Sequence, residues 1–264
     1  MAQVIKSMNF WILATILLCC SMVFVFPGLH SVYGLGIFSK DEKPFGKSYD
    51  EWNSEYWNKW LAKSTAQATP QPGGCLVANN DYKSESMVML METVDVSFPP
   101  TQVCEISSNQ GIIVPLYIAW DQHDNTPQSC QVSNLPQCTK LLNLGNIVSY
   151  VKVDGIPVAK LDVRQTVNPD TKLIETKINS LANVTQYTSK VFTLTIPPDS
   201  VEIANNVPGT WQSVSDGWWV FLKPLPLGTP IISYGLRVTP TGALTSPGTT
   251  THFSDITYKF QVVK

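Results

Sequence analysis

The chain has 264 residues, of which 44% are apolar, 10% aromatic and only 14% charged, with a formal net charge of −2. A soluble domain usually carries about 25% charged side chains; this one is charge-poor without lacking core-forming residues, which excludes intrinsic disorder. Nucleic-acid binding is excluded too, because phosphate contacts need clustered Lys and Arg and the only arginines are Arg164 and Arg237.

The N-terminus sets the compartment. Lys6 is the last charge before Lys40, and Phe10 to Phe26 reads FWILATILLCCSMVFVF. A basic start, an apolar centre and small residues beyond it form a secretory signal. Val32 and Gly34 stand where a signal peptidase reads, so cleavage after Gly34 is expected. About 20 apolar residues also suffice to cross a bilayer, and Leu29 to Phe38 continues without Lys, Arg, Asp or Glu, so an uncleaved membrane anchor is the alternative. Residues 1–34 are thus read as signal peptide or anchor and 35–47 as a linker. Either choice places the remainder outside the cytoplasm, secreted or held at a membrane surface.

Ser48-Tyr-Asp-Glu51 is a capping-box sequence, in which hydroxyl and carboxylate satisfy free backbone N–H groups at a helix start. It opens a helix over 48–64 that places Trp52, Tyr56 and Trp60 at i, i+4 and i+8, with Trp57 and Leu61 beside them. Asp50, Asn53, Glu55, Asn58, Lys59 and Lys63 occupy the other side, and Glu55 with Lys59 forms a favourable i,i+4 ion pair. Such a stripe docks a helix on a sheet, or alternatively cradles a sugar or a membrane surface.

Thr69-Pro-Gln-Pro-Gly-Gly74 ends the helical region. The cysteines beyond it, Cys75, Cys104, Cys130 and Cys138, form an even set in an exported chain and read as two disulfides. Three pairings are possible. The short polar segment CQVSNLPQC between Cys130 and Cys138 costs least entropy to close, which leaves Cys75 for Cys104. No Cys-x2-Cys spacing supports zinc.

The rest reads as short apolar runs between turns: Met87–Met91, Val94–Phe98, Gly111–Trp120, Ile147–Val153, Pro157–Val163, Val191–Ile196, Trp218–Leu222, Ile231–Val238 and Ile256–Val263. Asp154-Gly155 supplies the pair that a two-residue type I′ hairpin needs. In the last run Ile256, Tyr258, Phe260 and Val262 alternate with Thr257, Lys259 and Gln261, as in a half-buried antiparallel strand. The expected fold is mainly β. It is an antiparallel β-sandwich, immunoglobulin-like or jelly-roll-like, over 48–264 with one amphipathic aromatic helix at its N-terminus. A low-complexity loop, Pro240 to Thr251, separates the last two strands.

SYDEWNSEYWNKWL, the GGC ending at Cys75, MVMLM, CEISSNQGIIVPLYIAW, VDGIPV and DGWWVFLKPLPLGTPIISYGL occur in that order. Together they resemble a family of uncharacterised exported prokaryotic proteins, over most of residues 48–263. In that family a Cys before the first strand is followed by a Cys-containing strand and an apolar-Pro segment, as Cys75, Cys104 and Val114-Pro115 are here. This chain has Tyr56-Trp57 where the family helix pairs tryptophans, and a longer loop before the final strand. The resemblance implies the fold and export, and no activity.

Four sets of residues could carry chemistry. Asp121, His123 and Asp124 crowd one loop with oxygen and nitrogen ligands, although no second cluster completes a metal site. Met87, Met89 and Met91 share one strand face, as a Cu(I) site would require and as a core strand with Met filler equally would. The carboxylates Asp95, Glu105, Asp121 and Asp216 permit a glycosidase pair if two stand about 5–10 Å apart. Asn183-Val-Thr185 is a glycosylation sequon. No nucleophile elbow, zinc-protease helix or phosphate loop is present. The expectation is an exported or surface-anchored non-catalytic module, binding or structural, without cofactor. Its partner would be a cell-surface glycan or protein, and it meets membrane only through an uncleaved N-terminal segment. An extracellular polysaccharide hydrolase is the alternative, and a metal-binding accessory protein the third reading.

Overall fold

The first helix forms where its capping sequence stands. In the computed structural model the Ser48 hydroxyl accepts from the Glu51 backbone N–H at 3.3 Å, while the Glu51 carboxylate accepts from the Ser48 backbone N–H at 2.7 Å. Helix α1 runs Tyr49–Leu61, followed by a short second capped turn, α2, at Thr65–Ala68. The structure describes residues 35–69, 73–91, 101–126, 129–142, 146–167, 170, 174–181, 184–201, 207–239 and 252–264. Residues 1–34, the run Val94–Phe98 with Asp95, Asn183, and the loop Pro240–Thr251 lie outside them.

Two sheets follow. Sheet I contains β1 (Met87–Met89), β3 (Gly111–His123) and β9 (Gly209–Leu222) in that order, with β7 (Thr185–Thr188) and β8 (Phe192–Ile196) both pairing the far side of β9. Sheet II is six-stranded, in the order β2 (Gln102–Ser107), β11 (His252–Val263), β10 (Ile231–Thr239), β4 (Asn146–Val153), β5 (Ile156–Val167), β6 (Ile174–Leu181). The β-rich two-sheet sandwich is as expected, but it is not purely antiparallel: β1 pairs β3 and β2 pairs β11 in parallel. Neither pair is joined by a hairpin, so no tight turn forces opposite directions on them. Asp154 and Gly155 do make the expected hairpin between β4 and β5, with φ of 51° and 80°.

The aromatic stripe of α1 packs on sheet I. Trp52, Tyr56, Trp57 and Trp60 are each 3% exposed or less. Tyr49 stands 4.1 Å from Phe221, Tyr56 5.1 Å from Trp219 and Trp57 4.4 Å from Trp120, ring centre to ring centre. Asn53 belongs to this buried stripe rather than the polar side, and its Oδ1 accepts from the Ser215 hydroxyl. Trp219 and Phe221 thus face the helix, and by strand alternation Val220 and Leu222 face the other way. With both faces covered, β9 is buried at every position from Ser213 to Leu222, which explains the unbroken apolar run Trp218–Leu222 within it. Residues of both sheets and α1 form one continuous core.

Two further expectations need correction. The segment 35–47, read as a linker, is part of the folded unit that begins at Leu35. Phe38 N–H donates to Phe221 O and Lys223 N–H to Gly36 O, both at 2.8 Å, and Pro44 O accepts from the Trp52 indole. Its sequence looks loop-like because it adds to a strand end rather than forming a strand of its own. The polar segment between Cys130 and Cys138 leads into a helix, α3 (Leu135–Leu142), with Pro136 in its first turn, where no N–H is missed. Leu135 and Thr139, four apart, are its buried side, and the Thr139 hydroxyl donates to Leu135 O at 2.7 Å. The disulfides are Cys75–Cys104 and Cys130–Cys138, with Cα atoms 4.9 and 6.5 Å apart, the pairing expected from loop length. Among the described residues no helix is long and apolar enough to cross a membrane.

Candidate functional site

Strand β3 extends to His123, so Asp121, His123 and Asp124 occupy a strand end, and each has a local role. Asp121 Oδ1 accepts from Gln122 N–H at 2.8 Å, and burial pushes its carboxyl above the usual range. Asp124 accepts from both the N–H and the hydroxyl of Thr126; desolvation raises its carboxyl, but these bonds together with those from Gln122 and Ser129 outweigh it and hold the carboxyl below the usual range. His123 Nδ1 lies 3.0 Å from Cys130 O and 3.3 Å from Ser129 Oγ, clamping the disulfide loop to the strand. Among the described residues the one cluster spaced to hold a metal is Asp121 with Cys130 and Cys138. Those sulfurs are bonded to each other, and a disulfide does not offer the thiolate that ligates metals. His123 and Asp124 are not part of that cluster.

The methionines are core. Met87, Met89 and Met91 are at most 1% exposed, and the first two pair with Gly111 and Ile113 of β3. A side chain at Gly111 would come within 2.5 Å of Met87 Sδ, so that glycine makes room for the thioether.

The carboxylates divide. Glu105 is on sheet II, paired with Lys83 at 2.9 Å in the open. The register of β3 with β9 sets Ala119 opposite Asp216 and Asp121 opposite Val214. Asp121 and Asp216 are therefore diagonal neighbours on one face, about 7–8 Å apart at Cα. Asp216 is fully buried; its Oδ1 accepts from the Thr188 hydroxyl at 2.5 Å and its Oδ2 from the Gln186 amide at 3.1 Å.

With these residues inward or engaged, the outer face of sheet II remains as a chemically varied surface. Strand alternation places on it Val148, Tyr150 and Lys152 of β4, Ser233, Gly235 and Arg237 of β10, and Asp255, Thr257 and Lys259 of β11. Its centre is Gly235, which pairs with Tyr150 on one side and Asp255 on the other. The Tyr150 ring crosses over the glycine and its hydroxyl donates to Asp255 Oδ1. A Cβ at residue 235 would stand 2.1 Å from Asp255 Oδ1 and 2.7 Å from the Tyr150 ring, so any larger residue would break the bridge. Burial, followed by the bond to Asp255, pushes the Tyr150 phenol above its ordinary range.

Donors and acceptors surround the ring. Lys152 Nζ lies 4.8 Å above its centre, and Ser233 and Thr257 hydroxyls are 3.2 Å apart. Arg237 is exposed one alternation beyond Gly235, and Arg164 of β5, 2.7 Å from Asp162, projects from the same face. Both arginines of the chain thus stand on it. Sequence reasoning missed this surface because it depends on register between strands far apart in the chain. The available signal was that Tyr150 shares its parity with Lys152 and not with the core residues Ile147 and Val151.

A concavity of about 340 Å³ lies between α1 and the start of β8, lined by Asp50, Glu51, Ser54, Glu55, Lys190, Val191 and Phe192. Its carboxylates are occupied: Asp50 accepts from Lys190 N–H at 2.9 Å, Glu51 caps the helix, and Glu55 pairs with Lys47 and Lys59. No family model, curated protein or solved structure matches the chain.

Proposed function

We propose that the chain is an exported, non-catalytic binding module that presents the outer face of sheet II to a polyhydroxylated ligand of the cell-surface glycan class. The observation that carries this reading is the Tyr150–Asp255 bridge over Gly235. An aromatic ring lies across an open sheet face, fixed by a carboxylate and framed by Lys152, Arg237, Ser233 and Thr257. Once the flexible Lys152 ammonium swings off it, the ring offers an apolar face bordered by hydrogen-bonding groups, which suits a sugar with its C–H faces and rim of hydroxyls. Two disulfides fit an oxidising, extracytoplasmic setting. The N-terminal apolar segment is read as the means of export, by a cleaved signal or a retained anchor, and the resemblance to exported prokaryotic proteins agrees with it.

Among the described residues the hydrolase alternative has one foothold, the Asp121–Asp216 diagonal, but a carboxylate sealed from solvent with both oxygens bonded cannot reach a glycosidic bond without rearrangement. The test is a glycan array probed with the oxidised protein, followed by titration of the strongest hit. Tyr150→Ala and Arg237→Ala should each weaken binding about tenfold or more, the loss of roughly one good contact. Arg237→Ala should leave the melting midpoint unchanged. Array binding that survives both substitutions would move the ligand to another surface, and a protein that binds no glycan would overturn the reading.

A further inference from the structure

Strand β6 is the outermost strand of sheet II. Among the described residues it pairs with β5 alone. Its residues Glu175 to Ser180 are all exposed, Ile178 at 46%. The register sets Thr176, Ile178 and Ser180 opposite Gln165, Val163 and Leu161, all buried, so these positions continue the core face of the sheet into solvent. The opposite edge of the same sheet is covered. There Val103 N–H on β2 donates to Gly74 O at 2.7 Å and the Cys75–Cys104 bridge ties the covering segment down. An open edge presents a row of backbone donors and acceptors able to template another strand.

We infer that β6 pairs antiparallel with β6 of a second copy of this chain. In a symmetric antiparallel pair the two-fold axis runs through one residue lying opposite its own copy, because paired residues must both point their backbone groups across the seam or both away. Each choice of that residue has a different outcome. Centring on Glu175 sets two carboxylates opposite each other, and centring on Lys177 sets two ammonium groups opposite each other; both are destabilising. Centring on Ile178 sets Lys177 opposite Asn179 and gives Glu175 no opposite charge across the seam. Centring on Thr176 puts Glu175 opposite Lys177 twice. Of these registers that one alone sets opposite charges against each other. The strand is self-complementary, as an isologous interface requires.

The test is sedimentation velocity over a concentration series on the full-length protein, comparing the natural chain with Glu175→Lys, Lys177→Glu and the double swap. The natural protein should dimerise reversibly. Each single reversal sets like charges across the seam and should raise the dimer Kd at least about tenfold. The double swap, which restores both pairs with signs exchanged, should return it to within about threefold of the original. A monomer at every concentration overturns the inference, as expected if the edge instead receives a foreign peptide. A dimer indifferent to the single reversals overturns it too, since association through any other surface, the N-terminal segment included, would ignore these charges. Failure of the swap to rescue a weakened dimer is the third overturning result.

Discussion

At the scale of single residues, the end of β3 is held by short local bonds: Gln122 N–H donates to Asp121, Thr126 N–H donates to Asp124, and His123 Nδ1 lies 3.0 Å from Cys130 O. Asp121, His123 and Asp124 were legible as a polar cluster, but not that each would be engaged by its own neighbourhood. Tyr150 and Gly235 looked unremarkable, 85 residues apart, until register set them opposite each other. Asp121 offers a pH test. Its carboxyl is raised by burial, so the folded protein retains a proton there that the unfolded chain has already released. Between the ordinary Asp value and the raised one the native state binds more protons, and stability falls as pH rises through that window. Asp121→Asn keeps an oxygen to accept from Gln122 N–H and removes the titration. The variant's melting midpoint relative to the natural protein should therefore climb from pH 3 to pH 7. A difference independent of pH would show that burial does not perturb the group.

At the scale of elements, legibility followed how much of the packing pattern is local. Helix α1 was readable because its cap, its stripe and its ion pair all lie within one segment, and its docking on sheet I follows from the stripe. Strands β6 and β7 were not anticipated, and β2 was implied only by the resemblance: β6 and β7 are polar, all three lie at sheet edges, and their partners rather than a run of apolar residues make them strands. Helix α3 was hidden by reading its segment only as a disulfide loop. The packing of α1 gives a direct stability test. Trp60 is 3% exposed, stacks on Trp57 at 5.0 Å and meets Tyr56 edge-on at 5.6 Å. Trp60→Ala should cost about 3–5 kcal/mol, the range for deleting a buried large aromatic. The check is urea denaturation, and a midpoint that hardly moves would mean the helix contributes little to the core. If the proposed glycan reading holds, the same substitution should leave binding by the folded protein intact, because the proposed ligand face lies on the other sheet.

At the scale of the whole molecule, the two disulfides do different things, and the difference is measurable. Cys75–Cys104 closes 29 residues of separation and fastens the chain before β1 of sheet I to β2 of sheet II, so it crosses between the layers. Cys130–Cys138 closes only 8 residues and fastens α3 to the loop after β3, where His123 already holds the same loop through Cys130 O. In the chain-entropy account a longer closed loop restrains the unfolded state more, giving about 3.5 kcal/mol for the first bridge and about 2.5 kcal/mol for the second. Local redundancy should reduce the second further, since the histidine clamp and the Thr139 hydrogen bonds survive its loss. Paired Cys→Ser variants of each bridge, unfolded in guanidinium under oxidising conditions, should therefore rank with Cys75→Ser/Cys104→Ser the less stable. Because that bridge also pins the covering segment along β2, its loss should raise amide exchange at Val103 and leave exchange on α1 unchanged. The reverse ranking would mean that native-state contacts around α3, rather than loop entropy, set the value of each bridge. Equal stability of oxidised and reduced protein would remove the physical case for an oxidising compartment, leaving the N-terminal segment and the resemblance to exported proteins as its support.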